Sequence, residues 1–258
     1  MNSILAIARV VLLEMIRRKD AYVLLILTAL VTLALGTVNI FDDGSVVRYL
    51  KEACLTLIWI SMTVIAVLSA ARQIPTEKES RTLFPLLAKP VTRSQVLLGK
   101  FLGCWLACGL ALTCLYTLLA VLSGAREHAW PLTSYFQAAW LHWMFCAVVV
   151  ALTLLGSLLF AAVSSNATIV ILTAAGMLLL GRHLRKVAAQ SGGLTGRALE
   201  GFYFILPHLE FFDIRDLLTH NWPPLAWPTV AFDTAYAAAY GALFLVLACL
   251  VFRRKSIV

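Results

Sequence analysis

The sequence predicts an all-α membrane protein with six transmembrane helices, preceded by an N-terminal helix at the membrane surface. Of its 258 residues, 61% are hydrophobic and only 13% are charged, and the mean hydropathy is +0.89. A soluble domain carries about 45–50% apolar and about 25% charged residues. The apolar segments are also far longer than the strands of a membrane barrel, which need about 9–11 residues. A soluble globular enzyme and a disordered chain are therefore excluded.

The first predicted element is an amphipathic helix over residues 3–18. On a helical wheel its apolar side chains gather on one side, and Arg9, Glu14 and Arg17 lie roughly opposite. Such a stripe is typical of a helix that lies in the headgroup region of a membrane.

Six apolar segments follow and are predicted to be spans. The first, at about 1.5 Å per residue, covers one hydrocarbon core of about 30 Å. The segments are 21–41, 52–72, 97–123, 138–163, 167–181 and 230–252. A very short turn is predicted at 164–166, and a longer polar and aromatic stretch at 182–228.

The distribution of charge predicts which loops face the cytoplasm. Six spans place both termini on the same side, and that side collects 13 of the 21 basic residues with 4 acidic ones. The opposite side holds 8 basic and 9 acidic residues. Because cytoplasmic loops collect Lys and Arg, we expect both termini in the cytoplasm.

The sequence offers no candidate for catalysis or metal binding. The cores of spans one, two, three and five contain no Asp, Glu, Lys, Arg or His, which argues against a proton- or sodium-driven pathway. The chain also lacks a Gly-rich loop that ends in Lys-Ser or Lys-Thr and could hold a nucleotide phosphate. We therefore expect no catalytic residue, no metal and no cofactor bound by this chain, and any nucleotide chemistry belongs to another subunit.

The most informative stretch is the cytoplasmic segment 73–100. Thr76 and Glu79 form a capping-box pattern that predicts a short helix from about 77 to 84, and Pro85 ends or kinks it. Ser94 is a candidate cap for the next helix. The segment also carries an apolar cluster amid charges, namely Leu83, Phe84, Leu86 and Leu87. Physical reasoning alone leaves two interpretations open: a helix on the membrane surface, or a docking helix in the groove of a partner.

The same segment resembles a known signature. The pattern is Thr82-Leu83-x-x-Leu86-Leu87-x-Lys89-Pro90-Val91-x-Arg93, followed by Leu98-Gly99-Lys100. It is similar to the stretch between the first two full spans of type-2 ABC exporter permeases. In that family the stretch, here 76–90, is the coupling helix that sits in a cleft of the ATPase subunit, and residues 3–18 resemble the family's elbow helix. Pro85 departs from the pattern, and this departure concerns the length of the coupling helix and not its existence.

The resemblance implies partners and a docking surface. It implies two copies of a cytoplasmic ABC ATPase subunit that binds ATP and Mg, a second permease copy or a paralogous permease, and membrane lipid, with no nucleic acid. It also implies a bacterial or archaeal cytoplasmic membrane. The residues expected to dock on the ATPase are Glu77, Glu79, Arg81, Thr82, Leu83, Phe84, Leu86, Leu87, Arg17 and Arg18.

The resemblance further implies a pathway between protomers. Its lining is expected to include Thr28, Thr32, Asn39, Ser61, Thr63 and Thr173. An outer gate made by re-entrant helices within 182–228 is expected to include Phe202, Tyr203, Phe204, Phe211 and Phe212. A lid at the membrane surface without a gating role is the alternative for that stretch. An uncharged lining suits an amphipathic or lipid-like substrate.

The expected function is therefore that of a permease subunit in an ATP-driven exporter, with two alternatives. One is a non-transporting scaffold of the same fold that passes ATPase motion to another protein. The other is a membrane enzyme of unrelated fold, which predicts clustered carboxylates or histidines. Two small-residue segments, Gly99-x-x-x-Gly103 and the Ala-rich run 235–242, are expected to pack either between protomers or against the chain's own helices.

Overall fold

The computed structural model describes residues 3–17, 19–37, 44–79, 91–190, 196 and 206–254. All regular structure within these ranges is helical. Several residues singled out from the sequence lie outside the described ranges: Arg18, Asn39, Arg81, Thr82, Leu83, Phe84, Leu86, Leu87, Phe202, Tyr203 and Phe204.

Nine α-helices make up the described part of the chain. They are α1 (Ser3–Arg17), α2 (Lys19–Thr37), α3 (Gly44–Ala71), α4 (Pro75–Glu79), α5 (Arg93–Glu127), α6 (Leu132–Leu159), α7 (Val163–Gln190), α8 (Arg215–Thr219) and α9 (Trp227–Arg254). A 3-10 turn covers Leu209–Phe212. Four stretches are long and apolar enough to cross a membrane: Arg48–Glu79, Arg93–Glu127, Leu132–Leu159 and Trp227–Arg254. Within α2 and α7 the apolar stretches Leu25–Ala34 and Val163–Leu179 are shorter.

The helices extend beyond the predicted spans because hydropathy marks only their apolar part. Helix α3 begins at Gly44, eight residues before the predicted span. Helix α7 continues to Gln190, so the first residues of the predicted polar and aromatic stretch 182–228 are helical and extend α7 beyond the predicted span. Arg, Lys and Ala are good helix formers, so a helix need not end where its charged residues begin.

The predicted turn at 164–166 is corrected to Phe160–Ala162. Asn166 lies inside α7 and is buried, and its Nδ2 donates to the carbonyl of Thr153 at 3.1 Å. A Cβ at Gly156 would collide with the Asn166 side chain. Small polar residues resemble a turn in composition, but here one of them joins α7 to the backbone of α6.

Helix α6 is the central element and packs against α3, α5, α7 and α9. Its crossing with α5 is fixed by two indoles. Trp105 Nε1 donates to the carbonyl of Trp143 at 3.0 Å, and Trp143 Nε1 donates to the carbonyl of Trp105 at 2.8 Å. The two rings stack with their centroids 4.4 Å apart.

Helix α1 lies lengthwise on α5. A Cβ at Gly99 would lie 2.7 Å from Ile7 Cβ, and one at Gly103 would lie 2.6 Å from Val11 Cβ. The two glycines therefore let the helix backbones approach closely, and they pack within the chain rather than between protomers.

The apolar stripe predicted for α1 is present, but it faces α5 instead of the membrane. Ala8, Val11 and Met15 are buried. The opposite side is exposed and carries both apolar and charged residues: Leu5, Arg9, Val10, Leu13, Ile16 and Arg17.

The Ala-rich run of α9 divides between two faces. Ala237 and Gly241 are buried, on the helix that packs most extensively against α6. The remaining alanines of the run, Ala235, Ala238, Ala239 and Ala242, are exposed in the single chain.

Candidate functional site

The predicted docking segment begins as an extension of α3. After Ala71 the chain makes a turn at residues 72–74, and Thr76 N donates to the carbonyl of Arg72 at 3.2 Å. Lys78 N then donates to the carbonyl of Ile74 at 3.0 Å. Helix α4 therefore emerges from the end of α3 with little loose backbone between them.

A buried lysine of α5 holds this segment. The Lys100 side chain is 1% exposed, and its Nζ lies 2.8 Å from Glu77 Oε1. The same Nζ donates to the carbonyl of Gln73 at 2.9 Å and to Gln73 Oε1 at 3.4 Å. A buried cation needs such partners, because desolvation of an isolated charge costs several kcal/mol.

The far end of the loop is fixed at the start of α5. Thr92, and not the predicted Ser94, is the N-cap: its Oγ1 accepts from Gln95 N at 3.3 Å, and Gln95 Oε1 accepts from Thr92 N at 3.0 Å. Arg93 Nη1 donates to the carbonyl of Phe252 at 2.7 Å, near the end of α9. Helices α5 and α9 are therefore joined beside the loop.

Only part of the predicted docking surface lies in the described residues. Glu79 is exposed on α4, Glu77 is partly buried against Lys100, and Arg17 is exposed at the end of α1. The remainder of that surface lies in residues outside the described ranges.

The opposite ends of α3 and α5 carry a second buried lysine. The Lys51 side chain is 3% exposed, and its Nζ lies 2.7 Å from Glu127 Oε2. It also donates to the carbonyl of Leu218 at 3.3 Å and to Asn221 Oδ1 at 2.9 Å. One lysine thus connects α3, α5 and the segment that precedes α9.

The same segment is attached to α3 by an arginine. Arg215 forms a two-pronged ion pair with Asp213, with Nε–Oδ1 and Nη2–Oδ2 distances of 2.8 Å each. Its Nη1 donates to Thr56 Oγ1 at 3.0 Å, and the guanidinium lies 5.4 Å from the ring centroid of Trp59. The hydrogen bonds to Asp213 raise the pKa of Arg215 above its ordinary value.

The two described residues of the predicted gate pack against α9. Phe212 is buried, and the Phe211 ring meets Tyr236 edge-on with centroids 5.5 Å apart. Tyr236 Oη also accepts from the backbone N–H of His208 at 2.8 Å. This part of the chain is a packed aromatic layer, and its role as a gate stays a prediction.

Four of the predicted lining residues form side-chain hydrogen bonds within the chain, whereas the buried Thr32 Oγ1 has no hydrogen-bond partner among the described residues. Thr28 Oγ1 donates to Ser61 Oγ at 2.7 Å between α2 and α3, and both residues are buried. Thr32 is also buried. Thr63 and Thr173 donate to carbonyls of their own helices. A pathway through the Thr28–Ser61 contact requires α2 and α3 to separate, so the lining role stays a prediction.

A histidine-centred cluster lies between α3, α5 and α6. The His142 ring stacks on Trp59 with centroids 4.2 Å apart, and its Nδ1 is 3.2 Å from Tyr116 Oη. Within the described ranges no group of three or more His, Cys, Asp or Glu side chains could hold a metal ion.

Two apolar cavities lie on the described surface. One, of about 500 Å³, is bounded by α1, α2, α3 and α5 and is lined only by Leu, Ile, Ala, Met and Cys side chains. The other, of about 440 Å³, lies between α5 and α6. Its aromatic lining consists of Tyr116, Trp130, Tyr135, Phe136, Trp140 and Trp143. Both surfaces suit apolar molecules.

Comparison with known proteins agrees with this arrangement of apolar helices and polar ends. The model of a family described as ABC-2 family transporter protein matches residues 5–257. Comparison with curated proteins found no match. The matched range is almost the whole sequence, and it includes all nine helices in whole or in large part. The chain therefore belongs to the ABC-2 family of transporter proteins and is a membrane transport component.

Proposed function

We propose that this chain is the membrane-spanning permease subunit of an ATP-driven exporter. The family match over residues 5–257 carries the proposal. A separate ATPase subunit docks on residues 77–88, in two copies beneath a pair of permeases. The pair consists of two identical chains or of this chain and a paralogue.

The polar ends of the helices are consistent with this role. Helix α4 carries three charged residues, ends the stretch Arg48–Glu79 and precedes the stretch Arg93–Glu127. An exposed charged helix of this kind suits contact with a water-soluble subunit. We propose six spans in all, formed by α2, α3, α5, α6, α7 and α9, with both termini in the cytoplasm of a bacterium or archaeon.

The proposed mechanism is mechanical. ATP closes the two partner subunits on each other, and the docked segment moves as a rigid body. The helices then change from one packing to another. ATP can shift this equilibrium only because the ATPase contacts the two states of the permease differently.

The proposed substrate is amphipathic or lipid-like. The cavity bounded by α1, α2, α3 and α5 has no charged lining residue. The hydroxyl groups that line the α5–α6 groove belong to two tyrosines and two threonines. The hydroxyls of the two threonines donate to backbone carbonyls of α5. Such surfaces accept hydrocarbon and do not attract small ions.

The docking role is tested in the complex of this chain with its partner ATPase subunit. We expect Arg81→Glu and Phe84→Ala each to reduce co-purification of the ATPase, because one reverses a charge and the other removes an apolar anchor. Arg48→Glu, an exposed residue at the other end of α3, is the matched control and should retain the ATPase. Normal co-purification and normal export by both docking variants would show that residues 77–88 are not the docking site.

The alternative is a non-transporting scaffold that passes ATPase motion to another protein. Docking, dimer formation and ATP hydrolysis are the same in both cases. A flux assay in proteoliposomes with candidate lipids separates them, since only an exporter moves lipid between leaflets in step with ATP hydrolysis.

A further inference from the structure

We infer that Lys100 is the positioning residue that fixes the ATPase-docking segment to α5. This inference rests on the proposed function, in which α4 begins the segment that contacts the ATPase. It further assigns the helices that would move with that segment: α5 directly, and α1 through its contact with α5.

The contacts of Lys100 reach both parts of the junction. Glu77 lies on α4, and its Oε1 is 2.8 Å from Lys100 Nζ. Gln73 lies in the turn that precedes α4 and offers two oxygens, at 2.9 and 3.4 Å. One ammonium group therefore holds the turn and the helix together against α5.

The Lys100 ammonium group needs several acceptors in fixed positions. An ammonium has three N–H donors and no acceptor, and three oxygens lie within 3.4 Å of this one. Because the side chain is 1% exposed, water cannot replace a lost partner without entering the packed interface. A shift of α4 relative to α5 therefore leaves a desolvated charge, which costs several kcal/mol.

Helix α1 is joined to the same turns of α5. Gly99 precedes Lys100 directly and packs on Ile7, and Gly103 packs on Val11 one turn later. The first half of α1 and helix α4 are thus attached to neighbouring turns of α5. Residues 72–74 provide the backbone connection between α3 and α4 beside this attachment.

Hydrogen exchange of the purified full-length permease tests the attachment directly. In Lys100→Met, the amides of 73–79 should exchange about tenfold faster than in the unaltered chain, while those of 101–110 change little. Glu77→Gln keeps the side-chain shape and removes one charge, so it should show a smaller increase. It serves as the second variant if Lys100→Met does not fold. Arg48→Met, exposed at the other end of α3, is the control and should change neither region.

The assembled complex with the ATPase tests the consequence. Lys100→Met should bind the ATPase with nearly unaltered affinity, because the Lys100 side chain is 1% exposed and lies behind Glu77, where the ATPase does not reach it. The ATPase changes its turnover rate when it assembles with the permease, and Lys100→Met should make this change at least about fivefold smaller. Lys100→Arg keeps the cation and should restore part of the change. A merely structural role would lower binding and turnover together.

Two results would overturn the inference: unaltered exchange of 73–79 in both Lys100→Met and Glu77→Gln, or unaltered coupling in Lys100→Met. Failure of the proposed function has a different signature. If the ATPase does not bind the unaltered chain, docking is refuted, while the exchange experiment still decides whether Lys100 holds 73–79.

Discussion

Each end of the α3–α5 pair has a buried lysine that forms an ion pair with a glutamate. The lysine belongs to α3 at one end and to α5 at the other. At one end Lys51 of α3 pairs with Glu127 of α5. At the other end Lys100 of α5 pairs with Glu77, just after α3. Each lysine also reaches into the connecting segment beside it, through Asn221 at one end and Gln73 at the other.

The difference between the ends lies in their carboxylates. The Glu127 side chain is 18% exposed, whereas the Glu77 side chain is 31% exposed. The pair at Lys51 is thus closed off more completely, and the pair at Lys100 borders a surface proposed to be covered by another subunit. We therefore expect the Lys51 end to be the more rigid of the two, and under the proposed function the Lys100 end is the one that meets another subunit.

The largest expected loss of stability comes from Lys51→Met. The change removes the ion pair to Glu127 and both further hydrogen bonds, and it leaves a carboxylate largely buried. We expect a loss of about 3 kcal/mol in the free energy of unfolding, measured by denaturant titration in micelles. Arg48→Met, exposed on the same helix, should change it by less than about 0.5 kcal/mol. If Lys51→Met and Arg48→Met lost equal amounts of unfolding free energy, the Lys51 ion pair would not be the main support of its end of the α3–α5 pair.

The second effect concerns the attachment of α1 at the Lys100 end. In Gly103→Ala the new Cβ would lie 2.6 Å from Val11 Cβ and 2.8 Å from the carbonyl oxygen of Ala8. Helix α1 must move, and we expect a loss of about 2 kcal/mol, with faster proteolysis of α1. Gly176→Ala in α7 is the control, because nothing lies within 4 Å of its Cβ. A gain of about 0.5 kcal/mol is expected there. An α1 that stays protected in Gly103→Ala would contradict the close packing described here.

A smaller effect is expected from Arg215→Lys. The change keeps the charge but loses the two-pronged pair with Asp213 and the bond to Thr56, since lysine has no planar fork. We expect a loss of about 1.5 kcal/mol, together with faster hydrogen exchange of 209–219. Arg48→Lys, at an exposed arginine of α3, is the control. If exchange of 209–219 rises equally in both variants, Arg215 is not what attaches this segment to α3.

The smallest effect is expected from Arg93→Gln. Arg93 donates to two carbonyls at the end of α9, where a positive charge also meets the negative end of the helix dipole. We expect a loss of about 1 kcal/mol or less, seen as fraying of the last turn of α9 by hydrogen exchange. Arg254→Gln, exposed on that turn, is the control. A loss as large as that of Lys51→Met would show that the α5–α9 junction is a main support and not an accessory.

Sequence reasoning predicts the helices well and their contacts poorly. The apolar runs located all the long helices, because burial in hydrocarbon demands long uncharged segments. The pairs Lys51–Glu127 and Lys100–Glu77 lie at opposite ends of α3 and α5. The partners themselves were not predicted, since 76 residues separate Lys51 from Glu127 and no local pattern records which helices pack together.

Helix ends and turns were predicted least well, for related reasons. Ser164 and Asn166 resemble a turn in composition, yet Asn166 finds its partner in the backbone of α6. Thr92 rather than Ser94 caps α5, because its backbone is extended and Gln95 completes the box. In both cases a short-range preference was overruled by a contact that only the folded chain supplies.

The stacked pair of Trp105 and Trp143 gives the molecule a built-in optical probe. Two indoles held nearly parallel at 4.4 Å share their excited states, so their ultraviolet circular dichroism and emission depend on how the rings are superposed. A relative slide of α5 and α6 would disturb the stacking and both indole–carbonyl bonds at once. Conformational change at this crossing can therefore be followed by circular dichroism and fluorescence in the unlabelled protein.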